Sequence, residues 1–286
     1  MLLLKNFIMM ALFEIRHFTG PSHLCKLPDL QESEIRFMEN RQSIEPVGID
    51  EEFEFSCGPH VSCFNACCRD LNQFLTPYDV LRLARHLGIT TGDFLQVYTV
   101  HYTGPETGLP VVSLRPADYR EKLCPFVTPD GCRVYENRPG SCRMYPLARM
   151  LKRSRQTGAL TEAYALICEP HCHGFEQAAR QTVRQWVADQ GLLPYNKAND
   201  SMIEVISAKQ QAMAGALGKE AGLKIFMALY DLDAFRDCFA GGIEADCFKM
   251  GLEPQGLLVE DDEMLLGFAM KYAAAVLRHL SGFKEK

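Results

Sequence analysis

"CFNACCRDLN", residues 63 to 72, sets two cysteines side by side with a third four positions upstream. Thiols in such a stretch form a disulfide framework, a redox pair or a metal site, and composition narrows the choice. The 286-residue chain holds twelve cysteines. Nine lie between Cys57 and Cys172, whereas Cys25, Cys238 and Cys247 stand alone. The N-terminal stretch "MLLLKNFIMMALFEIRHF" has a short apolar run, but Glu14 and Arg16 follow directly and no small-x-small cleavage site appears. Cys25 in "SHLC" has a bulky Leu beside it, which makes a poor lipidation site. The expectation is a short helix or an over-extended start on a cytoplasmic protein. Cytoplasmic thiols are kept reduced, so clustering favours metal binding or redox chemistry over structural disulfides.

Three clusters recur: Cys57-x5-Cys63-x3-Cys67-Cys68, Cys124-x7-Cys132-x9-Cys142, and Cys168-x3-Cys172. Short spacings on loops let one backbone segment aim several sulfurs at one ion, and a distant segment supplies the rest. Thiolates are soft donors that select zinc, copper(I) or iron–sulfur clusters. Four of them on Zn²⁺ or on a [4Fe–4S]²⁺ core leave a net charge of about −2, which calls for hydrogen-bond donors nearby. Arg69, Arg133, Arg138 and Arg143 lie within a few residues of these cysteines, and Arg69, Arg138 and Arg143 are the cofactor-contact candidates. The competing reading is a set of solvated surface arginines. His60, His171 and His173 also flank the clusters, where exposed loop histidines are the commoner outcome. Adjacent side chains point to opposite faces of an extended backbone and diverge by about 100° on a helix. Cys67 and Cys68 are therefore expected to serve two neighbouring centres; the rival is one four-cysteine centre.

Other classes fall away. The net charge of −6, with both signs interspersed, leaves no nucleic-acid footprint. No apolar run reaches the length of a membrane span. No nucleotide-binding glycine loop, nucleophile-elbow serine, H-E-x-x-H helix or C-x3-C-x2-C radical-enzyme signature is present.

The pattern predicts α+β: a small, loop-rich cysteine-cluster domain with short hairpins and helices, then an all-helical region. Residues 1–49 are an extension and polar lead-in, 50–195 the cysteine-cluster domain and 196–286 the helical region. "LTPYDVLRLARHLGI" has Thr76 as N-cap, Pro77 at the first helical position, Asp79 as the capping-box acid and Gly88 as stop. "TTGDFLQVYTVHY" repeats the scheme with Thr91 as cap. "LPVVSLRP" reads as a strand, "TPDG" as a turn between Cys124 and Cys132, and "MYPLARMLKR" with "ALTEAYALIC" as a hairpin delivering Cys168. "FEQAARQTVRQWVADQG" is amphipathic, with the lone Trp186 on its core face and Gly191 as stop. "SMIEVISAKQQAMAGAL", "LKIFMALYDLDAFRDCFAG" and "DDEMLLGFAMKYAAAVLRHL" read as helices, with Cys238 and Cys247 as buried thiols.

Two long motifs, "CFNACCRDLNQFLTPYDVLRLARHLGI" and "CPFVTPDGCRVYENRPGSCRMYP", together with Cys168, resemble the YkgJ-type CxxCxxCC cysteine-cluster proteins. These are zinc- or iron-chelating or iron–sulfur proteins, and "LYDLDAFRDCF" is similar to their longer members. The resemblance covers roughly residues 50 to 250. It implies Cys57, Cys63, Cys67, Cys68, Cys124, Cys132, Cys142 and Cys168 as ligands, a set that divides into two fours; Cys172 joins the candidates from the spacing alone. Here the first two gaps are five and three residues, the first of them wider than the family's two or three. The resemblance implies an iron–sulfur protein, [4Fe–4S] by preference, with an electron-transfer or sensing role and a protein redox or modification partner. The alternatives are a structural Zn²⁺ protein that recruits a partner, and an iron–sulfur-dependent protein-modifying enzyme similar to flagellin lysine methylases.

Overall fold

The computed structural model describes residues 43–154, 156–212, 215–254 and 256–280. The expected N-terminal helix or over-extended start lies outside them, as does Cys25. The chain is α+β, with small antiparallel sheets and a helical C-terminal region. Its packing divides it into two units. The first comprises described residues 43–71, 118–133 and 141–193; the second comprises 72–117, 134–140 and 194–280.

The first unit is built on the expected hairpin, in which Leu147–Arg153 pairs antiparallel with Leu160–Cys168, Leu147 facing Leu166. A third strand, Ser43–Val47, adds to the other edge of Leu160–Cys168, setting Ser43 opposite Cys168. Its sequence reads as polar lead-in because an edge strand buries little: Val47 is buried, while Ile44 is 47% exposed. The expected long helix from Phe175 is a further correction. His173–Glu176 forms a 3-10 turn, Arg180–Thr182 is a strand paired with Glu52–Glu54, and the helix runs only from Val183 to Asp189. A capping box cuts it short: Thr182 Oγ1 accepts the Gln185 N–H (3.1 Å), and Gln185 Oε1 accepts the Thr182 N–H (2.8 Å). Phe53, Phe55, Met144, Leu147, Tyr164, Val183 and Leu192 form the core. Trp186 packs against it edge-on to Phe53 and Phe55, and its indole N–H donates to the Met144 carbonyl.

In the second unit the Pro77–Leu87 helix follows its sequence signals closely. Thr76 caps it, Asp79 closes the capping box, and Gly88 ends it at φ 68°. Asp79 is 1% exposed; its second oxygen accepts the Gly140 N–H at 2.7 Å, which binds the 134–140 segment to the helix. The next helix, Thr91–Tyr98, is capped by Thr90 and not by Thr91. Thr91 is buried, and its hydroxyl donates to Asp231 and Asp233. Pro110–Leu114 is the middle strand between Phe74–Leu75 and Thr99–Thr103. Of the C-terminal helices, Asp262–Leu280 packs on Met202–Ala212 and Lys219–Tyr230. "LKIFMALYDLDAFRDCFAG" breaks at Asp231, whose carboxylate caps a separate helix, Leu232–Cys238. Cys247 is buried as expected, whereas Cys238 is exposed. No helix of the described residues is long and apolar enough to cross a membrane.

Candidate metal centre

All nine clustered cysteines belong to the first unit. Asn65 takes a left-handed turn (φ 65°) into a 3-10 turn, Ala66–Arg69, that carries Cys67 and Cys68. Their sulfurs stand 4.0 Å apart, so the expectation that they aim at different places is corrected. Neighbouring backbone positions on a 3-10 turn do diverge, by about 120°. A cysteine sulfur is placed by one side-chain torsion, however, and here both torsions bring the sulfurs together. The second motif is laid alongside by backbone pairing: the Cys124 N–H donates to the Cys68 carbonyl (2.8 Å) and the Leu71 N–H to the Lys122 carbonyl (2.9 Å). Cys132 ends the expected tight hairpin, opposite Val127. Gly131 turns at φ 133°, and a Cβ there would lie 3.5 Å from the Phe64 ring. The third motif joins through the His173 N–H, which donates to Cys63 Sγ at 3.2 Å.

Electrostatics sorts the thiols into two groups. Cys68 senses the charges of Cys67, Cys124 and Cys142, and Cys124 those of Cys132 and Cys67. The Cys67–Cys68 pair gives up one proton readily and the second with difficulty. A hydrogen bond from Cys68 holds Cys67 down to about 7, while that same bond, with burial, pushes Cys68 up. Burial also pushes Cys124 up to about 11. The other group joins Cys172 to Cys63 and to Tyr145; burial raises Cys172, and the Tyr145 hydroxyl and Gly174 N–H act against that. Burial first and Cys172 second hold the Tyr145 phenol well above its usual range, so it remains a neutral O–H. That hydroxyl is buried without a well-formed hydrogen bond, which costs about 1–3 kcal/mol.

Cys57, Cys67 and Cys142 are exposed, and Cys63, Cys68, Cys124, Cys132 and Cys172 are half-buried free thiols. Cys168 is disulfide-bonded, an exception to the expected reduced set, and a disulfide sulfur offers no thiolate to a metal. Arg69 is exposed at the end of the Cys67–Cys68 turn. Arg143 donates to the Gln190 carbonyl at 2.8 Å. Arg138 lies in the second unit, its guanidinium 3.7 Å over the Tyr135 ring and donating to the Tyr135 carbonyl. Arg133 stacks over Phe126 at 5.3 Å. The histidine rings have carboxylate or hydroxyl partners: His60 meets Ser56 (3.2 Å), His171 meets Glu169 (3.6 Å) and His173 meets Glu176 (2.7 Å). Sequence reasoning missed Tyr145 and Glu169. Glu169 has a side chain only 7% exposed, and its charge reaches Cys67 and Tyr145. The available signal was "CEPHC", an acid held between two cysteines.

Among the described residues no three His, Cys, Asp or Glu side chains are grouped to enclose one ion. One pair of donors has a spacing that suits a thiophilic metal. Thiolates on a tetrahedral ion with metal–sulfur bonds of ~2.3 Å lie ~3.8 Å apart, close to the Cys67–Cys68 separation. The CxxCxxCC family model, described as "Putative zinc- or iron-chelating domain", matches residues 56–173. Residues 56–173 are a CxxCxxCC domain. The CxxCxxCC domain binds metal through cysteines. No curated protein and no solved structure matches the chain.

Proposed function

We propose that the CxxCxxCC domain holds an iron–sulfur cluster on thiolates drawn from Cys67, Cys68, Cys124, Cys132 and Cys142, and that the protein transfers or senses electrons with a protein partner in the cytoplasm. The observation that carries this reading is the gathering of those thiols: the Cys124 N–H donates to the Cys68 carbonyl, the Cys67 and Cys68 sulfurs stand 4.0 Å apart, and Cys68 senses Cys124 and Cys142. These thiols exceed the four donors that one tetrahedral ion takes. Hydrogen bonds to sulfur, such as His173 N–H to Cys63, are the kind that tune cluster potential. Cys57 and Cys63 enter the ligand set by resemblance, Cys172 by its contact with Cys63, and Cys168 only if its disulfide is reduced.

The Cys67–Cys68 separation favours a second reading, a structural Zn²⁺ held by both sulfurs. A modifying enzyme of the flagellin lysine methylase kind has the resemblance alone behind it. Metal analysis and a visible spectrum of anaerobically purified protein separate the first two. A cluster absorbs at roughly 400 nm and bleaches with dithionite, whereas Zn²⁺ is d¹⁰ and colourless. Stoichiometric zinc with no visible band would replace the first reading by the second, and protein free of both metals would overturn both.

A further inference from the structure

The three-stranded sheet of the second unit ends in Thr99–Thr103, sequence TVHYT, whose outer side pairs with no other strand among the described residues. Its inner side is taken by Pro110–Leu114: the Arg115 N–H donates to the Tyr98 carbonyl and the Gly104 N–H to the Leu109 carbonyl, both at 2.8 Å. With Thr99 opposite Leu114, this fixes the alternation, and Val100 and Tyr102 turn their N–H and C=O groups to that neighbour. Those of Thr99, His101 and Thr103 face outward. The Thr99 carbonyl accepts the Arg115 guanidinium at 2.8 Å and keeps a second lone pair.

Exposed strand edges attract other strands and are normally guarded by charge, proline or brevity. The other described edges follow that rule. Ser43–Val47 holds Glu45 and Pro46, Leu147–Arg153 ends in Lys152 and Arg153, and Glu52–Glu54 and Arg180–Thr182 carry charges. The remaining edges are two residues long. Thr99–Thr103 has no Lys, Arg, Asp, Glu or Pro, and its His101 and Thr103 are exposed. Val100 and Tyr102, 37% and 42% exposed, share one face, where Tyr102 meets Phe74 edge-on at 6.5 Å.

We propose that this edge is a homodimer interface: Thr99–Thr103 pairs antiparallel with the same strand of a second copy about a two-fold axis at His101, joining two three-stranded sheets into one of six. The strand fits itself in that register. His101 exchanges both backbone hydrogen bonds with its mate, and each Thr103 N–H reaches the other copy's Thr99 carbonyl. Thr faces Thr, and Val100 faces Tyr102 of the second copy, an aromatic–β-branched pair of the stabilising kind with no like charges opposed. Such isologous pairing closes at two copies.

The contact is small, so sedimentation velocity on the full chain should show a dimer of 32.2 kDa chains that dissociates on dilution over about 1–100 µM. His101→Pro removes an outward N–H and no bond to Pro110–Leu114, and Val100→Lys puts a charge on the exposed face. Each should weaken the dimer at least ~10-fold, and Val100→Lys decides if the proline disturbs the fold. Mixing Val100→Cys with Tyr102→Cys protein under mild oxidation reads the register: facing residues there lie about 4.5 Å apart at Cα, so peptide mapping should find positions 100 and 102 of different chains joined. A wild type that stays monomeric across that range, a dimer indifferent to Val100→Lys, or links joining 100 to 100 or 102 to 102 would overturn the proposal.

Discussion

Gly174 couples the core of the first unit to its cysteine loops, and Gly174→Ala is the sharpest test of that coupling. A Cβ at this position would lie 2.3 Å from Phe55 Cε2 and 2.9 Å from Cδ2 and Cζ. Carbon atoms in contact sit about 3.5–4.0 Å apart, so more than an ångström must be found somewhere. Phe55 cannot supply it easily: it is 1% exposed and hemmed by Tyr145, Phe175 and Trp186. The Gly174 backbone is held as well, its carbonyl accepting the Ser56 N–H at 3.0 Å. Overpacking of this kind costs about 1–3 kcal/mol, and so steep a clash belongs at the upper end. At about 4 °C per kcal/mol, the melting temperature should fall by roughly 4–12 °C.

The displaced backbone also carries the His173 N–H, one residue away, off the Cys63 sulfur. Cys63 should then react faster with a thiol reagent, measured by alkylation and peptide mapping. A variant that melts within a degree of wild type, with Cys63 no more reactive, would refute the reasoning.

Three further expectations concern the second unit. Gly267 lies inside the Asp262–Leu280 helix, and a methyl added there would meet nothing within 4 Å, so Gly267→Ala should stabilise by about 0.5–1 kcal/mol in a denaturant titration. Asp79→Ala should destabilise by about 3 kcal/mol in the same assay, because it strips acceptors from the buried Gly140 N–H and the Thr76 N–H. Burial alone would raise the Asp233 carboxyl, but Arg85 and the Thr91 N–H outweigh it and hold the group well below the usual carboxylate range. Its stabilising contribution is complete above the unfolded value of about 4 and is lost as pH falls through the depressed folded value, so Asp233→Asn should flatten the acid decline in stability below about pH 4.

What was legible in the sequence was what local chemistry decides. Thr76, Pro77, Asp79 and Gly88 act within their own helix, so reading them along the chain places that helix correctly. The 175–190 stretch departs from its apolar periodicity because a capping box that the sequence also spells, Thr182-x-x-Gln185, starts the helix only at Val183. Thr91 lost the cap to Thr90 through a partner far along the chain, since Asp231 and Asp233 claim its hydroxyl. The site shows the same division. That the cysteines belong together is local information, carried by spacing. That Cys67 and Cys68 converge, and that Tyr145 and Glu169 are buried near them, depends on segments more than seventy residues apart and on side-chain torsions, which no spacing reports.

The way the loops are fastened has a chemical consequence. The bonds that hold the first two motifs together run between peptide groups, Cys124 N–H to Cys68 carbonyl and Leu71 N–H to Lys122 carbonyl. They fix where the backbone passes, and further N–H groups reach a sulfur directly: those of Phe126 and Val127 hold the Cys124 thiol down against its burial. The third motif brings donors of the same kind: the His173 N–H donates to Cys63, and the Gly174 N–H lies against Cys172. Sulfurs with donors already aimed at them have their negative charge stabilised without further rearrangement. Backbone N–H groups thus favour the thiolate form at Cys63, Cys124 and Cys172 alike, so these sulfurs are prepared for charge by the fold itself.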